Sequence, residues 1–207
     1  MAFENFTTYA ETDPGADIAV AANTITWTAL DVRNTDSWVV RDFGAGHFSS
    51  DFTHTFKVRV TAFAGTSPFA AVWALANSVN DLWAIDDAGG DYQSILLVNS
   101  GGTYGLQLRV CENGTVGLAT VNIAAATTYF VTIERDDDGE ANGTGQLTLR
   151  VYTGNYYGQA GAVEVGTVTR DCAADEQNDF QYLYATCTLR TGDTGRTLTV
   201  WWLPIGA

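Results

Sequence analysis

The stretch Phe52-Thr53-His54-Thr55-Phe56-Lys57-Val58-Arg59-Val60-Thr61-Ala62-Phe63 decides how this chain folds. Phe52, Phe56, Val58, Val60 and Ala62 recur at even spacing, with Thr53, Thr55, Lys57, Arg59 and Thr61 between them. A β-strand sends successive side chains to opposite faces, so this spacing makes one apolar and one polar side. A helix would scatter both sets around its axis. The stretch therefore reads as a strand with one face on a core and the other toward water.

The same period of two recurs downstream. It appears in Tyr104, Leu106, Leu108 and Val110; in Tyr129, Val131 and Ile133; and in Leu147, Leu149 and Val151. Further strands are expected over Phe180 to Leu189 and Thr197 to Leu203. Turn signals separate these runs at intervals of about ten residues: Ser100-Gly101-Gly102, Asn113-Gly114, Asn142-Gly143-Thr144-Gly145, Thr153-Gly154-Asn155 and Thr191-Gly192-Asp193. Glycine and asparagine supply the backbone conformations that tight hairpins need. Short strands so punctuated, without crossover helices, predict an all-β fold, an antiparallel two-sheet sandwich or jelly roll. With no repeat, linker or low-complexity tract, residues 1–207 read as a single domain.

One segment admits two readings. Ser67-Pro68 looks like a helix cap, and Val72, Ala76, Val79 and Trp83 follow at helical spacing. Alternation also fits, with Phe69, Ala71, Trp73 and Leu75 on one side. The expectation is a strand through Ala76, then one helical turn around Ser78 to Leu82.

Composition narrows the function classes. Apolar residues make up 46% of the chain and charged ones 16%, which suits a folded core. Against 24 acidic residues stand 10 basic ones, nine Arg and the single Lys57, for a net charge of −14. That field repels phosphate backbones and anionic lipid, so nucleic acid and membrane insertion are disfavoured. No run approaches the roughly 20 apolar residues of a spanning helix, and no secretory signal is visible after Met1. Cys111, Cys172 and Cys187 lack zinc-binding spacing; Cys172 and Cys187 either pair across an acidic loop or, with Cys111, are small buried thiols.

Catalytic constellations are not evident. The acids of Glu134-Arg135-Asp136-Asp137-Asp138-Gly139-Glu140 run together into a glycine turn, whereas a glycosidase needs carboxylates projected separately into a cleft. His47 and His54 are the only histidines, neither beside a nucleophile motif, and His54 shares the apolar face of its strand. His47, Asp51 and His54 have helical spacing, so a strand separates them as metal ligands. For calcium, a hard cation that takes oxygen ligands, the acidic turn offers Asp136 and Asp138, without the spacing of an EF-hand.

The aromatic residues are more informative. Sugar rings present apolar CH faces that stack on aromatic planes, while carboxylates, amides and arginines bind their hydroxyls. Tyr156 and Tyr157 stand in the loop GNYYGQAG, and Trp83 lies near Asp86, Asp87 and Tyr92 in NDLWAIDDAGGDYQ. These six residues are the candidate ligand contacts, expected to form one surface at an end of the sandwich. Trp27, Trp38 and Trp73 sit in alternating runs and are expected in the core. Adjacent on one strand, Trp201 and Trp202 must take opposite faces.

Thr127 to Gly154, TTYFVTIERDDDGEANGTGQLTLRVYTG, resembles the concanavalin A-like lectin and glucanase superfamily, particularly its laminin-G-like branch, as an aromatic-led strand, polar hairpin and second strand. The resemblance implies a jelly-roll sandwich and a choice of activities. The first expectation is a non-catalytic, lectin-like module that binds a glycan or polysaccharide, with calcium assistance as an option. The alternative is a structural or adhesive component of a phage particle or surface assembly, packing as a homo-oligomer; a polysaccharide hydrolase or lyase comes third. Either of the first two implies an extracellular or virion-associated setting.

Overall fold

In a computed structural model of the protein, the described residues are 4–27, 37–62, 70–100, 102–112, 115–137, 145–172, 180–188 and 197–202. They form fourteen strands and one short α-helix. The strands are β1 (Ala10–Thr12), β2 (Ile18–Ala21), β3 (Thr24–Trp27), β4 (Trp38–Asp42), β5 (Phe52–Ala62), β6 (Ala70–Ala76) and β7 (Tyr92–Ser100). They continue as β8 (Thr103–Glu112), β9 (Thr115–Ile123), β10 (Thr128–Asp136), β11 (Gln146–Thr153), β12 (Val163–Asp171), β13 (Tyr182–Thr188) and β14 (Thr197–Trp202). Helix α1 is Leu82–Asp87.

Two seven-stranded antiparallel sheets result. The first runs β1-β4-β13-β6-β7-β8-β9 and the second β12-β11-β10-β5-β14-β3-β2. Each alternating series lies where its period requires. Phe56, Val58 and Val60 of β5, Val131 and Ile133 of β10, and Leu147, Leu149 and Val151 of β11 line the inner face of the second sheet. They pack against Ile95 and Leu97 of β7 and Leu106 and Leu108 of β8 on the first. Fully burying one such side chain contributes roughly 1.5–3 kcal/mol, so this shared interior is the main stabilising feature. Trp27 and Trp73 are wholly buried in it, while Trp38 is half-buried at a second, smaller cluster on the outer face of the first sheet.

Three expectations need correction in detail. Strand β6 forms through Ala76 as expected, but Ala71 does not share a face with Trp73 and Leu75. A bulge between Ala71 and Trp73 turns Val72 and Trp73 both inward, leaving Ala71, Ala74 and Ala76 on the outer cluster. The helical turn lies at Leu82–Asp87 instead of Ser78 to Leu82, because Asp81 caps it: its Oδ1 accepts the Ala84 N–H at 2.9 Å. Leu82 and Ile85 then bury one face, while the Tyr184 hydroxyl donates to the Ser78 carbonyl at 2.9 Å and pins the preceding loop. Strand β13 begins at Tyr182, and Phe180 makes only an isolated bridge to Phe48. The expected cap at Ser67-Pro68, with Phe63, Phe69, Leu189 and Leu203, lies outside the described residues.

None of the three cysteines is in a disulfide, and all are buried. Cys172 belongs to the interior between the sheets and Cys187 to the outer cluster of the first sheet, so a sheet separates the pair. Cys111 donates to Asp86 Oδ1 at 3.1 Å; burial, and then that carboxylate, push its thiol up to about 12. Such a thiol is inert at neutral pH.

His54 is a core histidine. Its Nδ1 accepts the Trp73 indole N–H at 3.0 Å, and Phe52 stacks on its ring at 4.5 Å between centroids. Burial first and His47 second hold its pKa at about 3, against 6.5 ordinarily. The unfolded chain therefore binds a proton between these values that the fold refuses. The stability is fully present above pH 6.5 and is lost as pH falls, at about 1.4 kcal/mol per unit. Between pH 6.5 and 5, above the range of ordinary carboxylates, urea denaturation is expected to show a loss of about 2 kcal/mol. His54→Asn, which keeps an acceptor for Trp73, is expected to flatten that dependence; an equal slope in both proteins would contradict it.

Candidate functional site

The pairing of β10 with β5 on one side and β11 on the other builds the outer face of the second sheet row by row. Arg59 faces Thr128; in the next row Lys57, Phe130 and Tyr152 stand side by side; in the third, Thr55, Thr132 and Arg150. Thr53, Glu134 and Thr148 follow, then Asp136 beside Gln146. Two rows of polar residues thus enclose one row that is largely aromatic. The Lys57 ammonium lies 5.7 Å from the Phe130 ring centre, a cation–π contact, and Arg150 Nε binds Glu134 at 2.8 Å. That hydrogen bond is the largest cause of the raised Arg150 pKa. The Thr132 hydroxyl and Arg59 Nε are buried without a hydrogen-bond partner among the described residues. Such orphan groups cost about 1–3 kcal/mol each.

The loop 154–162 folds back over this face. Gly154 has φ of +79°, and a Cβ there would run into the Gly161 carbonyl, so the loop closes tightly only with glycine. Asn155 braces it twice: Nδ2 donates to the Ala160 carbonyl and Oδ1 accepts the Tyr156 N–H, each at 3.0 Å. Tyr156 and Tyr157 consequently part company. Tyr156, only 6% exposed, packs edge-on against Phe130 at 4.9 Å, and burial raises its pKa. Tyr157 is 50% exposed, with the Arg150 guanidinium 4.7 Å above its ring and Tyr152 at 5.8 Å. The first is a support and the second a presented ring.

Trp83, Asp86, Asp87 and Tyr92 lie elsewhere. Helix α1 packs Leu82 and Ile85 on the outer face of the first sheet, in the same cluster as Tyr92. Trp83 and Asp86 are half-buried, Asp87 is exposed and Tyr92 is wholly buried. The two loops expected to share one surface therefore occupy opposite faces of the sandwich. At the acidic turn, Asp136 is exposed, Asp137 pairs with Arg135 at 2.8 Å, and Asp138 lies outside the described residues. No three histidine, cysteine, aspartate or glutamate side chains converge among the described residues. His47 is exposed, its ring tilted beside Phe43 at 4.8 Å between centroids, while His54 is buried with Trp73.

Lys57, Arg59, Phe130, Arg150 and Tyr152 were not singled out from the sequence as site residues. A signal was present, since Phe130 and Tyr152 interrupt otherwise polar outward series on β10 and β11. It became meaningful only with the pairing that sets them beside Lys57.

Two packed antiparallel sheets of this order make a concanavalin A-like jelly-roll sandwich, and the chain has that fold. Among solved structures it is similar to a legume lectin-like domain from Entamoeba histolytica, with a TM-score of 0.58 at 12% identity over 100% of this chain and 97% of that one. Lectin II from Ulex europaeus gives 0.57 at 9%, over 94% and 90% of the two chains. An alginate lyase solved with alginate tetrasaccharide gives 0.54 at 13%, over 99% and 98%. At these identities the likeness is one of fold. No family model matches the chain, and no curated protein matches it in sequence.

Proposed function

We propose that the chain is a carbohydrate-binding domain that takes its ligand on the outer face of the second sheet. The observation that carries this reading is Tyr157, a half-exposed ring held by a braced loop against Arg150 and Tyr152. A pyranose stacks its CH face on such a ring, and the adjoining row offers hydroxyls and guanidinium groups to its polar rim. Binding is favoured over turnover because the carboxylates nearest the aromatic row are both engaged, Glu164, opposite Tyr152, by the Thr167 hydroxyl and Glu134 by Arg150. The sandwich fold shared with lectins and a lyase is compatible with this use. An extracellular or virion-associated setting suits it.

A structural or adhesive role has its own basis. Val163 and Val165, 61% and 39% exposed, lie on the edge strand β12, where a second copy has apolar surface to cover.

A glycan array followed by calorimetry tests the first reading. Tyr157→Ala is expected to weaken binding about five- to tenfold, the loss of about 1–1.5 kcal/mol, with an unchanged melting temperature. Unchanged affinity would remove Tyr157 from the site. No glycan binding, together with a stable oligomer in light scattering, would favour the structural role. For calcium at Asp136 and Asp138, the check is a thermal melt: a midpoint raised by calcium and lowered by chelator supports the role, and equal midpoints remove it.

A further inference from the structure

The charges on the outer face of the second sheet are not distributed as the chain as a whole would suggest. The net charge is −14, yet Lys57 and Arg59 stand two residues apart on the same face of β5. That separation is about 7 Å along a strand. Of the other cations among the described residues, Arg41 binds Glu4, Arg135 binds Asp137, Arg150 binds Glu134 and Arg170 binds the Leu118 carbonyl, while Arg109, on β8 of the first sheet, has Nε and Nη1 buried without a partner. Lys57 and Arg59 have no carboxylate partner among the described residues. Among the described residues, Lys57 makes a cation–π contact with Phe130, and Arg59 Nε is buried without a hydrogen-bond partner.

Of the carboxylates of this face, Glu164 stands in the aromatic row opposite Tyr152, three strands across from Lys57, and the others lie in rows farther along the strands. Asp136 and Asp171 flank Gln146 in the row at the opposite end, six residues along β10 from Phe130, which is roughly 20 Å of strand. Glu134 is paired, and Glu164 on the edge strand accepts the Thr167 hydroxyl at 2.8 Å. Neighbouring like charges repel. The face thus carries, beside its aromatic row, a cationic pair whose repulsion an anionic ligand would relieve.

We infer that the face recognises a carboxylated polysaccharide, a polymer of uronic acid residues, with sugar rings on the Tyr157 and Tyr152 side and carboxylates at Lys57 and Arg59. This rests on the carbohydrate-binding reading of the same face and adds its ligand class. A guanidinium presents paired donors that match a carboxylate, and the half-buried position of both cations strengthens the attraction over that of free surface charges. The large negative charge elsewhere opposes dense polyanions, whereas a uronate chain carries one charge per ring between apolar faces.

The test uses the full chain with polygalacturonate and its fully methyl-esterified form, one backbone with and without charge, and with neutral glucans and dextran sulfate as further arms. Calorimetry at fixed ionic strength is expected to show the acid form bound at least about tenfold more tightly than the ester, and more tightly than dextran sulfate. Lys57→Met and Arg59→Gln are each expected to lower affinity for the acid form about tenfold and leave the ester unaffected. Should either variant melt early, the acid-to-ester ratio of the unaltered chain decides. Equal affinity for acid and ester, binding of neutral glucans only, or tighter binding of dextran sulfate would overturn the uronate assignment and leave carbohydrate binding standing. No binding in any arm would overturn both.

Discussion

The antiparallel pairing of β5 with β10 sets Phe56 against Val131, Val58 against Tyr129 and His54 against Ile133 on the inner face of the second sheet. The same register sets Lys57 against Phe130, Thr55 against Thr132 and Thr53 against Glu134 on the outer one. Because side chains alternate, a slip of one residue would exchange the two sets, exposing the apolar row and burying Lys57 and Arg59. The hydrophobic effect therefore holds the candidate site in place, with Tyr152 and Tyr156 buried and Tyr157 exposed. Continuation of this register through β11 brings Tyr152 and Arg150 alongside, and the loop after β11 delivers Tyr157.

How much was legible in the sequence follows from which interactions are local. Alternation in β5, β8, β10 and β11 is a property of each strand alone, and those inner faces were read correctly. Strand β6 was harder. Ala70–Ala76 is buried on both faces, so its polarity carries no period, and its bulge depends on the strands beside it. The helix lies a few residues beyond the expected turn because Asp81, whose side chain accepts the Ala84 N–H, caps it there, a contact that the spacing of the apolar residues does not reveal.

The site was half legible for the same reason. Aromatic residues in a glycine-rich loop drew notice to Tyr156 and Tyr157, but which ring is buried depends on Phe130, on the strand before β11 and brought near only by the sheet. Trp83 and Tyr92 drew notice by the same composition, yet the fold puts them on the far side of the sandwich. Lys57 and Arg59 were read as the solvated side of a strand. That was correct as local structure, and the pairing with β10 is what makes it a half-buried, aromatic-lined face.

The central claim is that this outer face, and not the α1 side, meets the ligand. Amide and side-chain chemical-shift mapping with a bound oligosaccharide tests it most directly. The account predicts that the largest changes fall on Lys57, Arg59, Phe130, Arg150, Tyr152 and Tyr157, with Leu82–Asp87 and Tyr92 unmoved. Changes concentrated on α1 and Tyr92, with the outer face of the second sheet silent, would contradict it.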